Sequence, residues 1–169
     1  MEKKKIDSFN TKRLIWDKVK HTDPRWTKPF GKFGKPLTAI DPMYQIMVMT
    51  DTFGPVGKGW NYKVSYTYTP TLVFAEVSVA HERSANMYDW DYYGPVSSVQ
   101  ALTKKNGGLD DEAPKKAMTD ALTKAFSHLG VSADVFLGMF DNSKYVESMK
   151  EKYSQKPKVA DENLVKFNK

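Results

Sequence analysis

The chain has 169 residues, 40% of them hydrophobic, enough for one well-buried core and too few for two. It has no cysteine, which excludes disulfide frameworks, thiolate catalysis and cysteine-ligated zinc and fits a reducing cytoplasm. The net charge of +6 is uneven: residues 1–35 hold 11 Lys and Arg against 4 Asp and Glu, and the remainder 15 against 16.

The start, "MEKKKIDSFNTKR", is basic with no apolar run behind it, so neither a signal peptide nor an anchor is expected. No window approaches the ~20 apolar residues of a membrane helix. A basic arm of this kind suits a polyanion, because lysine and arginine displace counterions from phosphates, and equally suits a solubilising tail. A short helix is expected over 12–19, then a loop broken by Pro24, Pro29, Gly31, Gly34 and Pro36. "DPMYQIMVMTDTFG" reads as a helix, with Asp41 as N-cap, Pro42 in the first turn, Gly54 as stop, and Ile46, Met49 and Phe53 as its apolar stripe.

"GWNYKVSYTYTP" alternates Trp60, Tyr62, Val64, Tyr66 and Tyr68 with polar residues, the period of a strand. "TLVFAEVSVAHE" is a second strand, with Val73, Ala75, Val77 and Val79 on one side, and "MYDWDYYGPVSSV" a third, with Tyr88, Trp90 and Tyr92 in step. Short connections favour an antiparallel meander. After the loop "TKKNGGLDDE", residues 111–130 form the longest helix, capped by Asp111 and ended by Gly130. Stepping 100° per residue gathers Ala117, Ala121, Ala125, Met118, Leu122, Phe126 and Leu129 on one arc. The opposite arc holds Lys116, Thr119, Asp120, Thr123, Lys124 and Ser127. One or two short helices and a charged tail follow. The expected fold is α+β: an antiparallel meander of at least three strands packed against a long helix, with a short helix before it. The divisions are a basic N-terminal arm over 1–36, a core over 37–146, and a charged C-terminal helix and tail over 147–169.

Enzymatic signals are poor. His21, His81 and His128 lack ligand spacing, no Gly-x-Ser-x-Gly elbow occurs, and "GPVGKGW" and "GKFGKP" lack the phosphate-loop pattern and read as turns. Neither cofactor nor metal is expected: the acid pairs Asp89/Asp91 and Asp110–Glu112 could hold Mg²⁺, the first of them in a nuclease, but strand alternation and helix capping explain them more simply. For nucleic acid, Lys58, Lys63, Lys104, Lys105, Lys115, Lys116 and Lys124 lie amid Trp60, Tyr62, Tyr66 and Tyr68. Aromatics interleaved with lysine can stack bases and hold backbone. The competing readings are an aromatic row filling the space under the alanine arc, and Lys116–Asp120–Lys124 as a ladder of surface ion pairs.

In order, "LTAIDPMYQIMVMTDTFGPVGKGW", the strands and "DDEAPKKAMTDALTKAFSHLG" resemble the annealing core of the Rad-fifty-two superfamily, most closely the phage Sak-type single-strand annealing proteins. The likeness spans residues 37–145. It implies a non-enzymatic, ATP-independent protein of recombination and repair that binds single-stranded DNA and anneals complementary strands. It also implies a homo-oligomeric ring in a bacterial host's cytoplasm, with a host or phage single-strand-binding protein as a further partner. By this match Lys124 falls on a groove-lining basic position, with Lys115, Lys116, Lys58 and Lys63 as weaker candidates; Thr123, Lys104 and Lys105 complete the candidate DNA-binding set. The sequence departs from the pattern at Thr123, where eukaryotic members carry a second basic residue, and at Tyr44, opposite a family arginine. The alternative of another class is a protein that protects single strands without annealing them.

Overall fold

Asp41 opens the first substantial helix as its sequence predicts: its carboxylate accepts the Met43 N–H at 2.9 Å, and Pro42 occupies the first turn, where no backbone donor is needed. The computed structural model describes residues 13–31, 37–83 and 90–154. In chain order these form α1 (Leu14–Val19), a 3₁₀ turn (Pro24–Trp26), β1 (Thr27–Phe30), β2 (Leu37–Ile40), α2 (Pro42–Phe53), β3 (Trp60–Tyr68), β4 (Leu72–Glu82), β5 (Trp90–Ala101), α3 (Ala113–His128), α4 (Ala133–Phe136), a second 3₁₀ turn (Met139–Asp141) and α5 (Ser143–Ser154).

The architecture is α+β. Strands β3, β4 and β5 make an antiparallel meander with β4 at its centre, and β1 and β2 pair as a separate hairpin. Val73, Ala75, Val77 and Val79 of β4 all face α3 and are fully buried, as their alternation requires. Ala113, Ala117, Ala121 and Ala125 let the α3 axis lie close on that face. Leu122 and Phe126 fill the space beyond them, joined by Met49, Trp60 and Val131. Burying each of the larger side chains stabilises the fold by about 1.5–3 kcal/mol. Helix α3 packs across β4 and β5 and barely touches β3, where Phe126 meets Trp60 edge-on at 5.4 Å.

Two glycines are dictated by close approach. A Cβ on Gly59 would lie 1.7 Å from the Phe53 carbonyl oxygen, so only glycine lets the turn fold back under the end of α2. Gly130 ends α3 at φ +99°, and a Cβ there would stand 2.8 Å from the Trp16 ring. That is how α1 comes to rest on the end of α3.

Several expectations are corrected. The segment expected as a loop between residues 20 and 36 contains β1, paired with β2 from Thr27↔Ile40 to Phe30↔Leu37, so a boundary after residue 36 cuts a hairpin. Val19, Thr22 and Asp23 are buried, so the chain joins the core well before residue 37, and a boundary after residue 146 falls inside α5. Helix α3 begins at Ala113 without a side-chain cap from Asp111; the preceding turn is held by Asp110, which accepts the Glu112 N–H at 3.2 Å. Tyr88, Asp89 and the tail from residue 155 lie outside the described residues.

A buried polar joint ties the two ends of the described chain together. Asp134 accepts the Thr22 N–H at 2.8 Å, the Thr22 hydroxyl at 2.6 Å and the Tyr145 hydroxyl at 2.8 Å. Tyr153 donates to the His21 carbonyl at 3.0 Å, and Tyr44 accepts the Asp23 N–H at 3.0 Å. Burial pushes both the Tyr44 and Tyr145 phenols far above the usual tyrosine range. Gln45, beside Tyr44 on α2, is fully buried with no hydrogen-bond partner for either amide atom among the described residues. No helix among the described residues is long and apolar enough to cross a membrane.

Candidate nucleic-acid interface

The lysines singled out from the sequence fall into three places. Lys104, Lys105, Lys115 and Lys116 belong to the start of α3 and the loop leading into it, a loop closed by the Lys104 N–H on the Gly108 carbonyl at 2.7 Å. Lys124 and Thr123 lie about three turns along α3 from Ala113. Lys58 sits in the α2–β3 turn and Lys63 on β3, opposite Ser78 on the sheet face turned away from α3. The structure therefore brings the α3 lysines together and separates them from Lys63 by the thickness of the sheet.

Carboxylates meet most of the first two groups. Lys116 Nζ is 2.8 Å from Asp110 and 3.9 Å from Glu112; Lys115 is 3.0 Å from Glu112, Lys104 3.5 Å from Asp111, and Lys124 3.2 Å from Asp120. The hydrogen bond to Lys116 is the main reason the Asp110 carboxyl lies below its usual range and the Lys116 ammonium above its own. The ladder is thus only half formed, because Lys116 turns back to Asp110 and leaves Asp120 to Lys124. Asp120 is also anchored to the sheet by the Ser98 hydroxyl of β5. Thr123 gives its hydroxyl proton to the Thr119 carbonyl at 2.8 Å. Its side chain borders a groove of about 450 Å³ between the β1–β2 hairpin and the α4 region, lined by Phe30, Leu37, Phe136 and Phe140 with Asp120 and Asp141. That groove is apolar with two acids, not basic.

Lys58, Lys63 and Lys105 differ: among the described residues no carboxylate pairs with any of them. Between Asp51 and Glu76 the sequence contains no Asp or Glu at all, so the α2–β3 turn and the whole of β3 carry lysine with no acid of their own, and Glu76 across the ladder faces Ser65 without pairing with Lys63. Counting lysines could not distinguish these from the paired ones; scanning for acid-free stretches could have found Lys58 and Lys63, but not told Lys105 from Lys104, which share one such stretch and differ in that Lys104 reaches Asp111.

The aromatic row does not fill the space under the alanine arc. Only Trp60 is buried there; Tyr62, Tyr66 and Tyr68 are 37%, 38% and 57% exposed. Their β4 partners Val79, Ala75 and Val73 on the same face are closed over by α3, and the cover ends one strand short of β3. Tyr44 is a buried member of the polar joint, 4% exposed, and accepts the Asp23 N–H.

The histidines have separate surroundings: His21 meets the Tyr145 hydroxyl at 3.1 Å, His81 stacks on Phe53 at 4.4 Å, and His128 bonds the Tyr93 hydroxyl. Asp91 accepts Arg83 Nε at 3.0 Å, and Asp89, the other acid of the pair weighed for Mg²⁺, lies outside the described residues. No group of three potential metal-binding His, Asp or Glu side chains forms among the described residues. No protein-family model matches the chain, and no curated protein matches it.

Proposed function

We propose that this chain is an ATP-independent protein that binds single-stranded DNA without sequence preference and anneals complementary strands, assembled as a homo-oligomeric ring. The observation that carries the reading is the acid-free stretch through the α2–β3 turn and β3: Lys58 and Lys63 without carboxylate partners among the described residues, and exposed tyrosines on the α3-facing side of the same strand. Unpaired lysines release counterions on meeting phosphates, whereas lysines already neutralised gain less. The Rad-fifty-two-like order of helix, Gly59-Trp60 turn, meander and long helix supports extending binding to annealing. Among the described residues β3 and β5 each have one edge with no strand beside it, which supports assembly, since neighbours would cover backbone groups left open.

The test is annealing of two complementary fluorescent oligonucleotides by purified protein. Faster pairing than in buffer, unchanged when ATP is omitted, is the expected result. Slower renaturation despite tight binding would identify a strand protector instead, and sedimentation at only ~19 kDa with and without DNA would remove the ring.

A further inference from the structure

We infer that Tyr62, Tyr66 and Tyr68, on the α3-facing side of β3, form a base-stacking strip for single-stranded DNA, separate from the polar arc of α3. The inference rests on the proposed single-strand binding and names the surface that takes the bases.

Three features converge on it. First, a strand face that continues a closed core is left open. Neighbouring strands stand ~4.8 Å apart, yet Val73, Ala75, Val77 and Val79 are sealed under α3 while the tyrosines paired with three of them keep more than a third of their surface in water. Aromatic rings buried at such positions would add core stability, so their exposure leaves a surface available for binding.

Second, neighbouring rings of the row incline gently to one another in two pairs. Trp60 and Tyr62 are inclined by 25° with centroids 6.2 Å apart, and Tyr66 and Tyr68 by 32° at 6.4 Å. Side chains stand roughly perpendicular to a sheet, so the row presents flat faces along the strand. A neighbouring copy that hydrogen-bonded to the backbone edge of β3 would leave those faces free.

Third, the surroundings suit a polyanion. Lys58 precedes the strand, Lys63 lies on its reverse face, and no carboxylate occurs from residue 52 to residue 75. The stretch that carries the tyrosines therefore adds no anion to repel the phosphates of a strand stacked on the rings, while Lys58 stands two residues before Trp60 and Lys63 adds positive charge on the far face. Stacking of this kind accepts every base, which matches binding without sequence preference.

The experiment uses the full chain and two variants, Tyr66→Ala with Tyr68→Ala, and Tyr66→Phe with Tyr68→Phe. The probes are an oligothymidylate, an abasic oligonucleotide of the same length and an oligonucleotide containing 2-aminopurine. The strip predicts that wild type prefers the base-bearing strand and quenches 2-aminopurine. The alanine pair should lose about tenfold or more in affinity for oligothymidylate, keep the salt slope, lose the quench and no longer distinguish the abasic strand. The phenylalanine pair should behave as wild type, because the ring faces remain. An alanine pair that is folded and retains wild-type affinity and quench overturns the strip, as does an equal loss on both strands. Altered sedimentation with unaltered binding per protomer assigns the tyrosines to a contact between copies and also overturns it. Wild type that binds none of the probes defeats the proposed function itself, a result distinct from failure of the strip alone.

Discussion

Lys116 Nζ stands 2.8 Å from Asp110 Oδ2, six residues back and ahead of the first turn of α3, and not beside Asp120 one turn on. The longest helix therefore starts from a salt bridge and a turn bond made by one carboxylate, since Asp110 also accepts the Glu112 N–H. This arrangement makes stability depend on pH in a definite direction. Lys116 holds the Asp110 carboxyl below the value it has when unfolded, so the stabilisation is complete above the ordinary carboxylate range and disappears as pH falls through the folded-state value. Asp110→Asn is expected to lower the urea midpoint at pH 7, with the gap from wild type closing below about pH 4.

The three places occupied by lysine should differ in their salt dependence. Lys58→Ala and Lys63→Ala should each lower the slope of log affinity against log salt by roughly 0.7, the single-strand counterion value. Lys124→Ala removes a cation already paired with Asp120 at 3.2 Å and is expected to move the slope less. Asp120→Asn, which can keep the bond to Ser98 while removing the charge, should strengthen binding. Fluorescence titrations at four salt concentrations check all four variants.

Asp134 is only 2% exposed and accepts from Thr22 twice and from Tyr145 once. Asp134→Ala would strand those donors in the interior and is expected to cost about 3–5 kcal/mol. Tyr145→Phe removes one donor and one contact to His21 and is expected to cost about 1 kcal/mol. Denaturant unfolding monitored by tryptophan fluorescence measures both.

Gln45 buries its amide without a partner among the described residues, and methionine has nearly its shape. Gln45→Met should raise stability by about 1–2 kcal/mol, read as a higher denaturant midpoint with unchanged slope.

Periodicity made the main elements legible. The strand pattern of Val73 to Val79 and the alanine arc of α3 each encode which side is buried, because one side chain in two or in 3.6 must point inward. The Asp41 cap was legible for the same local reason. The β1–β2 hairpin was not: four residues are too few for alternation to register, and Pro29 inside β1 argued against a strand. Nor could alternation within β3 tell that α3 would stop short of it, since a strand's own sequence does not specify how far a helix on its neighbours extends. The lysine partners were equally hidden. Lys116 has acids within reach on both sides, and the turn preceding α3 decides that it goes back to Asp110.

The joint around Asp134 also bears on the order in which the molecule assembles. Thr22 and Asp134 are 112 residues apart in sequence, and His21 and Tyr153 are 132 apart. Closing so long a loop costs entropy that these bonds recover only after the sheet and α3 have shortened the path between them. The joint is therefore expected to form late and to open early. When it opens, the N-terminal segment and α5 come loose as one cooperative unit while the meander stays folded, so protease sensitivity at the two distant ends of the chain should rise and fall together.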